Sequence, residues 1–226
     1  MTTGPGGPTQ RSGPLEEGEA SDTLLEVLAE AQRFGALGPS ALEDHVRHAS
    51  AFVDAVGASA FDGATVVDLG SGGGIPGLVV AGRCPTAHVT LLDGRARRAA
   101  QLERAVDQLG WSDRVSVLGD RAEVAGRSPE LRGRADLVVS RGFGRPGVTA
   151  ECAAPLLRVG GRLVVSEPPG AATTRSRWPA AQCAELGLEL EDIVEVPWSF
   201  AVLRQALPCG ERYARRVGIP EKRPLF

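Results

Sequence analysis

Two periodicities alternate along this chain. After Ser21 and Asp22, both good helix caps, Leu24, Leu25, Leu28 and Ala31 recur at helical spacing and predict a short amphipathic helix. Ser40, with Glu43 three residues on, reads as the capping box of a second helix. Its apolar face is Leu42, Val46, Ala49 and Val53, and Gly57 ends it. Short apolar runs of strand length then take over. Val66–Leu69, His88–Leu92, Val115–Leu118, Ala135–Ser140 and Arg162–Ser166 read as strands. Helices are predicted between them over Ile75–Arg83, with Pro76 tolerated in the first turn, and over 94–109, 147–157 and 174–186. Glu191–Val196 and Phe200–Ala206 read as a closing hairpin. Strands alternating with helices imply an α/β protein. The expected form is a seven-stranded, mostly parallel sheet with helices on both faces, preceded by a short helical extension.

Composition changes this picture mainly at the ends. The chain has 226 residues, 42% of them hydrophobic and 23% charged, enough for a sizeable core. Residues 1–20, rich in Gly, Pro, Thr and Glu, predict a disordered tail. Residues 21–60 are then expected to form the helical extension and 61–226 the main domain, with a basic tail over 212–226. No apolar run approaches the roughly 18–20 residues of a membrane span, and the first residues lack the apolar core of a secretory signal. Cys84, Cys152, Cys183 and Cys209 stand far apart, with no CxxC pair and no histidine at ligand spacing. That predicts reduced structural thiols, a cytoplasmic location and no metal site.

The net charge of −3 argues against a general nucleic-acid binder, but the distribution is uneven. Residues 1–40 carry two bases against six acids, whereas 204–226 carry six bases against two acids. A further basic cluster, Arg95, Arg97, Arg98 and Arg104, follows Asp93. Lys222 is the only lysine, so composition favours arginine throughout, and its abundance alone says little about phosphate binding.

The chemistry starts at VVDLGSGGGIPG, residues 66–77. A glycine turn between a strand and a helix lets a ligand approach the backbone, with helix N–H groups pointing at it. The dinucleotide fingerprint G-x-G-x-x-G would place Ile75 at its last glycine, and a phosphate loop would need a lysine that is missing. Asp68-Leu69-Gly70-Ser71-Gly72 instead has the D-x-G-x-G form of class I S-adenosylmethionine methyltransferases, a Rossmann-like fold. Asp93, at the end of the second strand, can accept hydrogen bonds from two ribose hydroxyls. Gly119-Asp120-Arg121-Ala122-Glu123, after the third strand, can contact an adenine edge. The three stand in order, each at a strand's carboxyl end.

Taken together, VVDLGSGGGIPGL, LLDGRARRAAQLER, GDRAE, SRGF and YARRVGIPEKRPL resemble the RsmG (GidB) family over roughly residues 40–226. That family methylates N7 of one guanine of bacterial 16S ribosomal RNA. The resemblance implies S-adenosylmethionine as cofactor and a guanine-527-type target in 16S RNA or the small ribosomal subunit. It also implies that Gly70 and Ile75 line the cofactor, Ala122 and Glu123 hold its adenine, and Arg141 sits beside cofactor and substrate. Arg141 is the catalytic candidate, orienting the base or a nearby phosphate. Arg97, Arg98, Arg212, Arg215, Arg216, Lys222 and Arg223 are the candidates for holding RNA backbone. A monomer without membrane attachment is expected.

The chain departs from the family pattern in places. The Arg-His…Asp-Ser motif is reduced to Asp44-His45, with His48 at the usual aspartate. Ser166-Glu167-Pro168 stands where the family has Leu-Lys-Gly. These changes touch substrate recognition more than cofactor binding. They keep two other readings open: a small-molecule N- or O-methyltransferase, and a catalytically silent cofactor- or RNA-binding paralogue. His45 and His48 read as helix-surface or capping residues. Phe143 and Trp178 are candidates for stacking on a flipped base, and Tyr213 for anchoring the basic tail.

Overall fold

The strands form where the apolar runs lie. The computed structural model describes residues 21–168 and 175–226. The expected tail 1–20 lies outside the described residues. Helices α1 (Asp22–Arg33) and α2 (Leu42–Val56) precede β1 (Thr65–Leu69). There follow α3 (Gly77–Arg83), β2 (His88–Leu92), α4 (Ala96–Leu109), β3 (Val115–Leu118), α5 (Ala122–Ala125), β4 (Ala135–Ser140), α6 (Pro146–Ala153) and β5 (Leu157–Glu167). A helix over Ala180–Glu185 leads to β6 (Leu188–Glu195) and β7 (Ser199–Gln205), and a last helical turn spans Ile219–Lys222.

One seven-stranded sheet runs β3-β2-β1-β4-β5-β7-β6. β1 to β5 are parallel, and β7 is antiparallel to both β5 and β6. Successive residues of a strand face opposite sides, so Val66 enters one core and Val67 the other. The first core holds Leu24, Leu28 and Phe52 from α1 and α2 together with Leu78 and Leu102. The helical extension therefore closes one face of the sheet. The second core lies under α5 and α6 and includes Leu156, Trp178, Cys183 and Tyr213. The strand order reverses between β1 and β4, the switch point where open α/β sheets bind ligands at their carboxyl ends. Among the described residues no helix is long and apolar enough to cross a membrane. The cysteines are free, and burial pushes the Cys84 and Cys183 thiols up to about 11.

Several boundaries differ from expectation, each for a local reason. The Ser40 capping box does not form. Ala41 is the N-cap, without a side-chain hydrogen bond, while the Ser40 carbonyl accepts from Gln32 Nε2 at 2.9 Å. Helix α3 begins at Gly77 and not at Ile75, because a residue before proline is disfavoured in the helical region. Helix α6 stops at Ala153, two residues short of Pro155, which has no N–H to continue it. β5 starts at Leu157, well before the expected Arg162, through an irregularity where β4 pairs it at Ala135 and Leu137. β6 starts at Leu188 because Leu188 pairs with Gln205. Of the helix expected over 174–186, residues 175–176 and Ala180–Glu185 are helical, with a break at 177–179, and its start at 174 lies outside the described residues.

Candidate active site

The glycine loop is shaped by close approaches. Gly70 has φ +79°, and a Cβ there would stand 2.5 Å from Cδ2 of Phe143. Gly77 opens α3 against the sheet, where a Cβ would overlap Leu91 and stand 2.6 Å from Asp68 Oδ2. That contact lets the Gly77 N–H donate to Asp68 Oδ2 at 2.9 Å. The Ser71 hydroxyl donates to the Asp68 carbonyl at 3.0 Å, closing the turn. Burial raises the Asp68 carboxyl to about 7, against the pull of the Gly77 N–H and of the nearby Ser71 hydroxyl and with a further push from Asp93. Asp68 Oδ1 is buried without a partner. Ile75 is buried in the core shared with α1 and α2.

Asp93 reaches back to this loop. Its Oδ2 accepts from the Gly72 N–H at 3.0 Å and its Oδ1 from the Arg95 N–H at 2.9 Å, with Arg98 Nη1 at 3.7 Å. A carboxylate has about four lone-pair sites, so two remain for a ligand. Ala122 and Glu123 are buried at the start of α5. Glu123 Oε1 accepts from the Gly218 N–H at 2.8 Å and from Arg121 Nη2 at 3.2 Å. Burial pushes this carboxyl up, but those donors hold it below the ordinary glutamate value. Its side chain thus ties the basic tail to the loop after β3.

Arg141 follows β4, whose register places it beside Gly70 at the end of β1. Its Nη2 donates to His45 Nδ1 at 3.0 Å. A guanidinium only donates, so His45 carries its proton on Nε2 and donates to the Gly38 carbonyl at 3.1 Å. Arg141 Nη1 is buried without a partner, and burial lowers the arginine's pKa. His48 sits among Phe52, Trp198 and Phe200, with ring centroids 5.9, 5.1 and 5.8 Å away, and its Nε2 meets the Ser166 hydroxyl at 2.9 Å. Burial, Arg141 and His45 lower its pKa to about 4. His45 is buried and His48 half-buried, each with its ring engaged by other elements, in place of the helix-surface or capping role expected of them. Two departures from the family pattern, His48 and Ser166, touch one another.

A cavity of about 340 Å³ opens at the ends of β4 and β5, with Phe143 in its wall. Trp178 does not reach outward to stack. It is buried, packs edge-on against Phe226 and donates from Nε1 to Glu167 Oε1 at 2.9 Å.

The tail arginines divide into two groups. Arg215 is held by Glu151, which is fully buried, through Nε at 2.7 Å and Nη2 at 2.5 Å, and its Nη2 also donates to the Arg223 carbonyl at 2.7 Å. Arg212 pairs with Glu185 at 3.1 Å and lies over the Tyr213 ring. Tyr213 is buried, and its hydroxyl donates to Glu185, so it anchors the tail as expected. Arg127 and Arg132, which the sequence did not single out, bind the Ala214 and Tyr213 carbonyls, each at 2.8 Å. Arg216, Lys222 and Arg223 are exposed with no side-chain ion pair among the described residues. Arg98 stands beside Asp93, and Arg97 lies over the Phe34 ring at 5.0 Å.

The family model described as "rRNA small subunit methyltransferase G" (GidB) matches residues 26–168. A ribosomal RNA small subunit methyltransferase G from Prochlorococcus marinus is 35% identical over 173 residues, covering 70% of this chain and 67% of the relative. One from Carboxydothermus hydrogenoformans is 36% identical over 166 residues, covering 70% of each. The chain thus spans about two thirds of these relatives' length. Among solved structures, a SAM-dependent O-methyltransferase from Thermotoga maritima has a TM-score of 0.53 at 15% identity, covering 82% of this chain and 73% of its own. Cofactor-bound Rv0187 from MTB has a TM-score of 0.56 at 21% identity, covering 82% and 91%. At these identities the likeness is one of fold.

Proposed function

The chain belongs to the rRNA small subunit methyltransferase G (GidB) family, and from that membership we propose how its own residues perform methyl transfer to 16S ribosomal RNA. It is an S-adenosylmethionine-dependent methyltransferase. Its target is guanine N7, and we assign the 527-type position, with a single chain acting in the cytoplasm on the small subunit or its RNA. The observation that carries this is the Asp68–Gly72 loop with Asp93 hydrogen-bonded back to it at the switch point of the sheet.

The residues suit that cofactor. S-adenosylmethionine supplies an electrophilic methyl on a sulfonium. The unpartnered Asp68 Oδ1 suits its α-ammonium, and the unpartnered Arg141 Nη1, on the neighbouring strand end, suits its carboxylate. Asp93 has lone pairs left for the ribose, while Gly70, Ser71, Gly72 and Ile75 supply backbone around it. Ala122 and Glu123 flank the adenine, mainly through their backbone, since the Glu123 carboxylate holds Gly218.

Guanine N7 carries an in-plane lone pair and no proton, so its attack requires no general base. The protein's task is alignment, and well-oriented reactants gain about 7–11 kcal/mol in this way. Arg141 is rigid enough for that, being fixed from α2 by His45. Arg216, Lys222, Arg223 and Arg97 are assigned to RNA backbone, and Arg98 to a weaker share of it, because Asp93 already stands 3.7 Å from its guanidinium. Arg212 and Arg215 are assigned mainly to holding the tail in place, because their charges are already paired.

The test is transfer of labelled methyl to small subunits from cells lacking their own guanine-N7 enzyme. Label mapped to one N7-methylguanine of 16S RNA is expected. Intact cofactor binding without label would overturn the RNA assignment. Asp93→Ala is expected to weaken cofactor binding at least tenfold by calorimetry, and an unchanged affinity would remove Asp93 from the site.

A further inference from the structure

The cavity at the ends of β4 and β5 shares a wall with the glycine loop. Phe143 lines it and also lies against Gly70, so whatever enters the cavity stands one ring away from the loop. Glu167 and Arg177 line it as well. The Glu167 side chain is 1% exposed, with a hydrogen bond on one oxygen and an ion pair on the other. The buried Trp178 indole donates to its Oε1 at 2.9 Å, and Arg177 Nε forms an ion pair with its Oε2 at 2.7 Å. Pairing through Nε leaves both terminal nitrogens of Arg177 without a partner among the described residues, on a side chain 41% exposed.

We propose that Arg177, aimed by Glu167, recognises the purine that enters this cavity by donating to its O6. The inference rests on the methyl-transfer reading above and names the residue that selects the base. Charge decides what kind of acceptor Arg177 suits. The buried Glu167 carboxylate cancels its charge, so little net attraction remains for a phosphate, while the unused N–H groups suit a neutral oxygen. Guanine presents N7 and O6 on one edge. N7 must keep its lone pair for the methyl group, which leaves O6. Adenine carries an amino donor there and would set donor against donor. The same arrangement accounts for Ser166-Glu167-Pro168. The cationic donor missing from the end of β5 returns on Arg177, and the glutamate that replaced it serves as its mount. Arg177 is thus a specificity residue and Glu167 a positioning residue.

The test pairs a protein change with a base change. Wild type, Arg177→Gln and Arg177→Lys are assayed on small subunits reconstituted with guanine or 2-aminopurine at the methylated position. 2-Aminopurine keeps N7 and lacks O6. Arg177→Gln is expected to lower kcat/KM on guanine about tenfold to a hundredfold, the worth of a charge-assisted hydrogen bond, but less than about threefold on 2-aminopurine. Arg177→Lys keeps the ion pair with Glu167 and is expected to retain the guanine preference in part. Glu167→Gln keeps an acceptor for Trp178, loosens Arg177, and is expected to fall between. Cofactor affinity should stay within about twofold of wild type in all of them, as befits changes outside the cofactor site. An equal loss on both bases, or no loss on guanine, would overturn the role of Arg177. A wild type that labels neither base would overturn the methyl-transfer reading itself.

Discussion

The two halves of the site are built on different scales. On the β1–β3 side the bonds are short in sequence: Ser71 with Asp68, Gly77 with Asp68 and Gly72 with Asp93 span 3, 9 and 21 positions. On the β4–β5 side and in the tail the partners are remote. Arg141 and His45 lie 96 positions apart, His48 and Ser166 118, Glu123 and Gly218 95, and Arg215 and Glu151 64. Loop closure costs about 0.6 kcal/mol per doubling of length, so closing the remote pairs costs about 1–3 kcal/mol more than closing the local ones, a cost met by the sheet that brings all of them together. The material differs as well. The local half relies on backbone N–H groups and on glycines that cannot grow a side chain. The remote half relies on side-chain pairs, which can be exchanged together, and it is where this chain leaves its family's pattern.

The comparison is tested most severely at Gly77. Gly77→Ala should destabilise the protein by about 3 kcal/mol, because its new methyl meets Leu91 and the buried Asp68 carboxylate. Chemical denaturation measures this, and a loss below about 1 kcal/mol would show that the local half tolerates repacking after all. Glu151→Gln should cost about 2 kcal/mol, since it weakens two charge-assisted bonds to Arg215. It should leave cofactor affinity unchanged. A parallel fall in that affinity would erase the separation between the halves.

His48 gives a pH signature. Its pKa is lowered to about 4 from 6.5, so between these values the unfolded chain binds more protons. Its contribution is present above pH 6.5 and lost as the pH falls towards 4, by at most about 1.4 kcal/mol per pH unit. His48→Gln should flatten that slope, and an identical pH profile would mean that other groups set it. The smallest effect is expected on the tail. Arg216→Gln should reduce the slope of log affinity for RNA against log salt by about 1, whereas Arg215→Gln should act mainly on stability. Equal salt effects for the two would contradict their division into free and paired charges.

Much of the fold was legible in the chain. The apolar runs at Val66–Leu69 and His88–Leu92 and the D-x-G-x-G turn are local patterns, and local sterics decide what they become. Asp93 was legible for the same reason, standing at the end of a readable strand. The role of Gly77 was within reach too, as the glycine that a close helix–strand contact demands. The Ser40 capping box failed because its signal is short, and the Ser40 carbonyl found a partner in Gln32 across the turn between α1 and α2.

By itself the sequence determined the alternating architecture, the end of the sheet at which the glycine loop stands and the loop itself, because each depends on residues within one strand–turn–helix unit. Only the tertiary structure decided which charges are free. Nothing in the spacing of Arg212, Arg215 and Arg216 shows that the first two are paired and the third is not. Nothing local makes His45 the support of Arg141, or Glu167 the mount of Arg177 beside the cavity. A side chain's availability depends on what the folded chain brings within hydrogen-bond reach, and those partners come from elements that only the closed sheet sets next to one another.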